Sequence, residues 1–279
     1  MFKFINSDLT VLHLNSRPKV IAVRVLTLLF FIGTMVANRF ASVGGNTIGS
    51  ISNANRTWIT PAAYAFSIWG LIYLGLLAFT IYQLLPSTYD NGVINNQINL
   101  WFIINLSFNI AWIFAWLNVQ KTIAFLILAS MAFSMFIIFV NFKRNETLKN
   151  RTWVEYLCVR FGFSLYLAWL SAASIVNLYS IGTSATEEFL FQAVIGLLLA
   201  FVLEISLSQF FKEPLISLVG TWALSAIAVS WFSQSLLIGV TAIVFASLLL
   251  LQTIQLIVFN NWKSYNPVLS SQNTVVLVE

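Results

Sequence analysis

Short polar stretches cut this chain into eight long apolar runs, at 20–38, 62–84, 100–118, 122–142, 156–179, 189–211, 215–232 and 236–259. A helix needs about 20 mostly apolar residues to cross a bilayer, and each run is close to that length. Barrel strands would be about half as long and would alternate polar with apolar, so the runs read as helices. Composition agrees. Only 8% of the residues are charged and 59% are hydrophobic, whereas a soluble domain carries about 25% charge. Such a chain has too little polar surface to cover a globule in water. The expectation is an all-α fold, a polytopic membrane helix bundle.

The flanks set organisation and orientation. Residues 1–19 mix Lys3, Asp8, Arg17 and Lys19 with apolar positions and offer no small-residue cleavage site, so the first run reads as a signal anchor. Eight spans put both termini on one side. That side collects Lys3, Arg17, Lys19, Lys143, Arg144, Lys149, Arg151, Lys212 and Lys263, against Arg39, Arg56 and Lys121 on the other. Basic residues concentrate in cytoplasmic loops, which places both termini in the cytoplasm and the 39–61 loop, with Gly44 and Gly45, outside. A bacterial inner membrane or an organellar membrane satisfies this equally.

Several function classes drop out. The net charge of +5 is spread over short loops rather than along one stripe, so nucleic acid is not an expected partner. A single cysteine, Cys158, excludes an internal disulfide and a cysteine zinc site. The single histidine, His13, lies in the polar tail. No acid–histidine cluster, Ser–His pairing or phosphate loop is visible. The chain is therefore expected to have no catalytic and no metal site, and to require no cofactor.

Polar and aromatic residues inside the runs carry the functional signal. Pro61 stands near a helix start, where a missing N–H does no harm. Phe66, Trp69 and Tyr73 then follow on one face. Trp58 suits an interfacial anchor, but Trp69 and Tyr73 lie two to three turns further in. On the third run Asn105, Asn109, Trp112 and Trp116 fall within roughly 60° of one another at helical spacing. An amide facing hydrocarbon is costly, so this face points into the bundle, either as interhelical glue or as the wall of a pocket for a flat apolar ligand. On the fifth run Tyr166, Trp169, Ala173 and Asn177 form a similar stripe. Beside it runs a small-residue row, Ser164, Ala168 and Ala172, suited to close helix approach and to homodimer contact.

Trp58, Pro61, Trp69 and Tyr73, then Asn109 with Trp112, then Tyr166, Trp169 and Asn177 together resemble the translocator protein / tryptophan-rich sensory protein (TspO/MBR) family. That family carries a Trp-x-Pro-Pro loop leading to Trp and Tyr, then Asn-x-x-Trp, then Pro-Tyr-x-x-Trp followed by Asn. The resemblance covers residues 20–180. Thr60 replaces one of the paired prolines, Phe66 is displaced by one from the family's aromatic, Asn105 stands for a glutamine, and Leu165 stands for a proline. The resemblance implies a five-helix TspO-like core (20–180), extended here by about three C-terminal transmembrane helices (181–260), with cytoplasmic tails at 1–19 and 261–279. It implies a pocket roofed by the first loop and a sensor or regulator that binds a tetrapyrrole (porphyrin or haem) or a sterol-like lipid. By position the ligand-binding candidates are Trp58, Trp69, Tyr73, Asn109, Trp112, Tyr166, Trp169 and Asn177, with Arg56 the cation nearest to hand for propionates.

Three charges fall inside the runs: Arg24, Arg160 and Glu204. Intramembrane ionisable groups mark functional or coupling positions. The expectation is that Glu204 pairs with Arg24 or Arg160 and ties the extra helices to the core. The alternatives are arginines snorkelling to the headgroups and a glutamic acid kept protonated by desolvation. Glu204 also supports a second reading, a transporter or flux protein for a small hydrophobic or amphipathic substrate. Glu187 and Glu188 suit a solvated helix start, where acids complement the dipole.

Overall fold

The computed structural model describes residues 16–41, 47–144, 153–186 and 189–259. His13, Gly44, Gly45, Glu187 and Glu188 lie outside them, as do Lys3, Lys149, Arg151 and Lys263 of the charge count. Eight helical segments are long and apolar enough to cross a membrane: Arg17–Ala41, Ala63–Tyr82, Ile94–Leu117, Lys121–Arg144, Trp153–Tyr179, Leu190–Phe211, Pro214–Trp231 and Leu236–Phe259. They coincide with the eight apolar runs. The chain is an all-α, multi-pass membrane protein.

We label the helices α1 (Arg17–Ala41), α2 (Ile48–Ala54), α3 (Ile68–Tyr82), α4 (Asn99–Leu117), α5 (Lys121–Arg144), α6 (Gly162–Tyr179), α7 (Leu190–Phe211), α8 (Pro214–Trp231) and α9 (Leu236–Phe259). A tight 3-10 turn, Ala63–Ser67, leads into α3, and wide π turns at Ile94–Ile98 and Tyr156–Phe161 lead into α4 and α6. Short α2 lies in the loop between the first two spans. Thr47 caps it, its side chain accepting from Ser50 N, which satisfies one of the N–H groups a helix start leaves open.

Helix α6 is the axis of the bundle. Of its span's most apolar window 72% is buried, against 22–56% for the other spans, and it packs against α3, α5, α7 and α8. The Ser164–Ala168–Ala172 row is buried within the chain. The row therefore serves packing between helices of one chain, and the homodimer contact expected from it is not available there. Its close approach to α3 is made by two glycines rather than by the row. A Cβ added to Gly75 would stand 2.4 Å from Gly162 Cα, so the two backbones touch. Large apolar side chains such as Leu29, Phe40, Leu74, Phe191, Leu251 and Phe259 face outward, as expected where the solvent is lipid.

The last three spans are built into the same body. Helices α8 and α9 form a tight antiparallel hairpin, α8 also lies along α6, and α7 bridges α6 to α9. The loop after α2 docks onto this hairpin. Ala62 N donates to Ala226 O at 3.0 Å, and Trp231 Nε1 donates to Thr60 O at 2.9 Å. Thr60 works here in a way a proline could not. Its own N–H donates to Thr57 O at 2.9 Å, while its hydroxyl accepts from Thr57 N at 2.9 Å.

The intramembrane charges are arranged differently from the sequence expectation. Arg24 is fully buried. Its guanidinium donates to Asn95 Oδ1 (2.9 and 2.7 Å), to Thr88 Oγ1 (2.8 Å) and to the Gln83 carbonyl, and lies over the Tyr89 ring. It clamps the α3–α4 connection to α1 and neither snorkels nor meets Glu204. Arg160 pairs with Glu213 at 3.5 Å. Glu204 stands nine residues earlier in the chain than Glu213, a rise of about 13 Å along a helix, which places it a different distance into the bundle. Its partner among the described residues is Ser171, whose hydroxyl donates to Oε1 at 2.8 Å. The ionic tie between the extension and the core is made by Glu213, while Glu204 adds only the hydrogen bond from Ser171. Tyr156 also donates to Glu213 at 2.9 Å. Glu213 follows Lys212, whose left-handed backbone (φ 56°) ends α7, and precedes Pro214, which opens α8.

Candidate functional site: an aromatic cavity closed by Glu204

The indoles predicted to share helix faces converge on one point. Trp69, at the start of α3, stacks on Tyr73 (ring centroids 5.2 Å apart) and meets Trp112 at 6.3 Å, Tyr166 at 5.8 Å and Trp169 at 6.3 Å. Trp112 in turn stacks on Trp116 at 6.0 Å and 12°, and Phe66 stands edge-on to Trp169. Three helices thus deliver the cluster's tryptophans, Trp69 from α3, Trp112 and Trp116 from α4, and Trp169 from α6. The spacing that put Trp112 on the inner face of α4 and Trp169 on that of α6 follows from their periodicity alone.

Beyond the cluster opens a cavity lined by Phe66, Trp69, Trp112, Trp116, Trp169 and Asn177 from the first five spans, and by Gly196, Ala200, Glu204, Gly220, Ala223 and Leu224 from α7 and α8. Ile48 and Ser52 of α2 and Ile59 and Pro61 of the loop complete it. Its free volume is about 60 Å³, room for one or two waters. On its loop side, Ile48, Phe66 and Trp69 separate it from a wider groove of about 550 Å³ that also touches Asn38, Thr47 and Asn53.

The eight candidates divide into three groups. Trp69, Trp112, Trp169 and Asn177 line the cavity. Tyr73, Asn109 and Tyr166 form a polar layer behind the indoles. Asn109 Nδ2 donates to the Tyr166 hydroxyl at 2.7 Å, and the Tyr73 hydroxyl faces the side chains of Asn109 and Asn38. Trp58 does neither. Its indole N–H donates to Thr186 O at 2.7 Å and its ring packs on Trp231 at 4.8 Å. The extra hairpin supplies that partner, so Trp58 is drawn to α8 and away from the lining. Arg56 follows it, lying 4.2 Å over the Trp231 ring and donating to Ser230 Oγ at 2.8 Å. Asn105 is interhelical glue, donating to Met131 O and Ser134 Oγ of α5 at 2.9 and 2.8 Å.

The lining carries four buried polar atoms without a hydrogen-bond partner among the described residues: Trp69 Nε1, Trp112 Nε1, Asn177 Oδ1 and Glu204 Oε2. Unpaired buried polar atoms cost roughly 1–3 kcal/mol each, so native structures keep few of them. The four around this cavity give an otherwise apolar lining unused hydrogen-bonding capacity. The lining residues from α7 and α8 carry no motif of their own. Gly196, Gly220 and Ala223 are small residues in apolar helices, and only helix pairing turns them to the cavity.

The chain matches the family described as TSPO-like protein over residues 22–255. It belongs to that family. The matched segment does not stop at the fifth span but runs through α7 and α8, which wall the cavity of this TSPO-like chain, and into α9. Neither the curated proteins nor the solved structures contain a match to it.

Proposed function

We propose that this TSPO-like membrane protein is a ligand-binding sensor or regulator whose cavity takes a flat, largely apolar molecule, a tetrapyrrole or a sterol-like lipid. The observation that carries the reading is the set of four unpartnered polar atoms in an otherwise apolar, tryptophan-walled cavity. Indole faces suit a flat ligand, and a few fixed polar groups orient it, the usual composition of small-molecule sites. Binding rather than bond-making chemistry fits the lining, in which Glu204 is the single ionisable group.

Such ligands need about 300–1,000 Å³, far more than the about 60 Å³ free inside. A ligand of this class therefore binds by displacing Phe66 and Trp69, which joins the inner cavity to the outer groove. Both rings belong to the segment that follows the 47–61 loop, so loop position and occupancy are coupled. That coupling is the physical content of a sensor: the ligand favours one arrangement of the loop over the other.

The test is tryptophan fluorescence of the purified protein titrated with protoporphyrin IX, for wild type and for Trp112→Phe/Trp169→Phe. Saturable quenching at micromolar affinity or better (about −8 kcal/mol), weakened by the double substitution, is expected. Quenching that rises linearly with ligand and ignores the substitutions would remove the cavity as the binding site.

A further inference from the structure

Glu204 stands at the inner end of the cavity. It is 1% exposed. Its Oε1 accepts from Ser171 and its Oε2 has no partner among the described residues. Ser171 lies six residues before Asn177 on α6, about 9 Å deeper from the loop, so the carboxyl and the Asn177 amide mark two levels of one cavity. Room for the carboxyl is made by Gly220 on the facing wall of α8. A Cβ there would come within 3.0 Å of Glu204 Cγ and 2.7 Å of Leu249 Cδ1. The glycine lets the glutamate stem lie against the α8 backbone.

We infer that this inner end is a recognition subsite for a hydrogen-bond-donor head group, an alcohol or an amine, carried on an apolar ligand body, with Glu204 Oε2 as the acceptor. The inference rests on the cavity being a ligand site and adds which end of the ligand goes in first. A donor reaching Oε2 satisfies the Glu204 oxygen that has no hydrogen-bond partner among the described residues. A buried acceptor without a partner penalises ligands that lack the donor, which makes such sites strongly discriminating. An anionic head meets a penalty there that an alcohol or an amine does not, because two carboxylates at contact in an apolar site cannot both ionise and one must first take up a proton. The indole N–H groups of Trp69 and Trp112 are the complementary donors, left for an acceptor elsewhere on the ligand.

Four probes of one shape test this: 2-naphthylmethanol, 2-naphthylmethylamine, 2-methylnaphthalene and 2-naphthoate. Each is titrated calorimetrically into the full chain in nanodiscs, with empty nanodiscs as the blank. The alcohol and the amine are expected to bind at least about ten-fold tighter than the methyl compound, about 1.4 kcal/mol, with the naphthoate no tighter than the methyl compound. Glu204→Leu flattens the series, and Glu204→Gln keeps the alcohol preference while losing that for the amine. The wild-type ranking alone decides the matter if a variant does not fold. Equal binding of all four, or tightest binding of the naphthoate, overturns the subsite and leaves the cavity reading standing. Absence of saturable binding by any probe overturns the subsite, and protoporphyrin IX quenching on the same preparation then tells whether the cavity reading falls with it.

Discussion

Gly75 of α3 and Gly162 of α6 meet backbone to backbone: a Cβ on Gly75 would stand 2.4 Å from Gly162 Cα, and one on Gly162 would stand 2.4 Å from the Gly75 carbonyl carbon. This contact fixes how closely the tryptophan of α3 approaches that of α6. It is made of main-chain atoms, which cannot rotate aside. Gly75→Ala and Gly162→Ala are therefore each expected to destabilise the bundle by about 1–3 kcal/mol. Gly70, five residues earlier, has nothing within 4 Å of its added Cβ, so Gly70→Ala leaves stability unchanged or slightly raised. Thermal unfolding in detergent, read by the loss of near-UV tryptophan dichroism, separates the two outcomes.

The polar layer behind the indoles is a packing device as well as a support for the site. Tyr166→Phe removes the hydroxyl that accepts from Asn109, and Asn109→Leu removes the donor. A double-mutant cycle on unfolding free energy is expected to give a coupling of about 0.6 kcal/mol, with about 1.7 as the upper end for interhelical hydrogen bonds in membranes. A coupling indistinguishable from zero would mean that each side chain finds another partner when its neighbour is gone.

Two buried glutamates should behave in opposite ways. Glu213 holds Arg160 and accepts from Tyr156 at the α7–α8 corner. Glu213→Ala removes the carboxylate that Arg160 pairs with, and breaking a largely buried pair in this way costs about 3–5 kcal/mol. Glu204 accepts from Ser171 alone among the described residues, and a glutamine keeps an acceptor at that point. Glu204→Gln is expected to change stability far less than Glu213→Ala, because the amide oxygen still accepts from Ser171 and no ion pair is broken. Urea titration of both variants distinguishes them, and a large loss for Glu204→Gln would assign it the structural role that Glu213 holds here.

The Phe66 ring lines both the cavity and the outer groove. Phe66→Ala opens that wall. Stopped-flow quenching by protoporphyrin IX is expected to show faster association for the variant, with a smaller effect on dissociation. An unchanged association rate would place the route between other elements.

Much of this was legible in the sequence because hydropathy and helical period act locally. Eight apolar runs became eight spans. The periodicity of Asn105, Asn109, Trp112 and Trp116 placed all four on the buried face of α4. It could not divide them, and Asn105 turned to α5 while Asn109 turned to α6. A helix face some 60° wide touches two neighbours at once, and only packing decides which.

Depth was the second thing the sequence could not give. Arg24, Arg160 and Glu204 share a similar distance from helix ends, yet the α7–α8 corner carries Glu213 to Arg160 and leaves Glu204 inside the cavity. The corner itself, Lys212-Glu213-Pro214, is local in sequence, but nothing in it names the arginine across the bundle.

By itself, then, the sequence determined what depends on neighbours along the chain: the solvent, the number of spans, the inward faces and the tryptophans that populate them. Tertiary structure decided what depends on neighbours across it. It sent Trp58 to Trp231, brought Gly196 and Gly220 to the cavity wall, and left Oε2 of Glu204 without a partner. The physical reason is that burial and helical period are one-body properties of a segment, whereas a cavity is the space left between segments, and its outline exists only once they have packed.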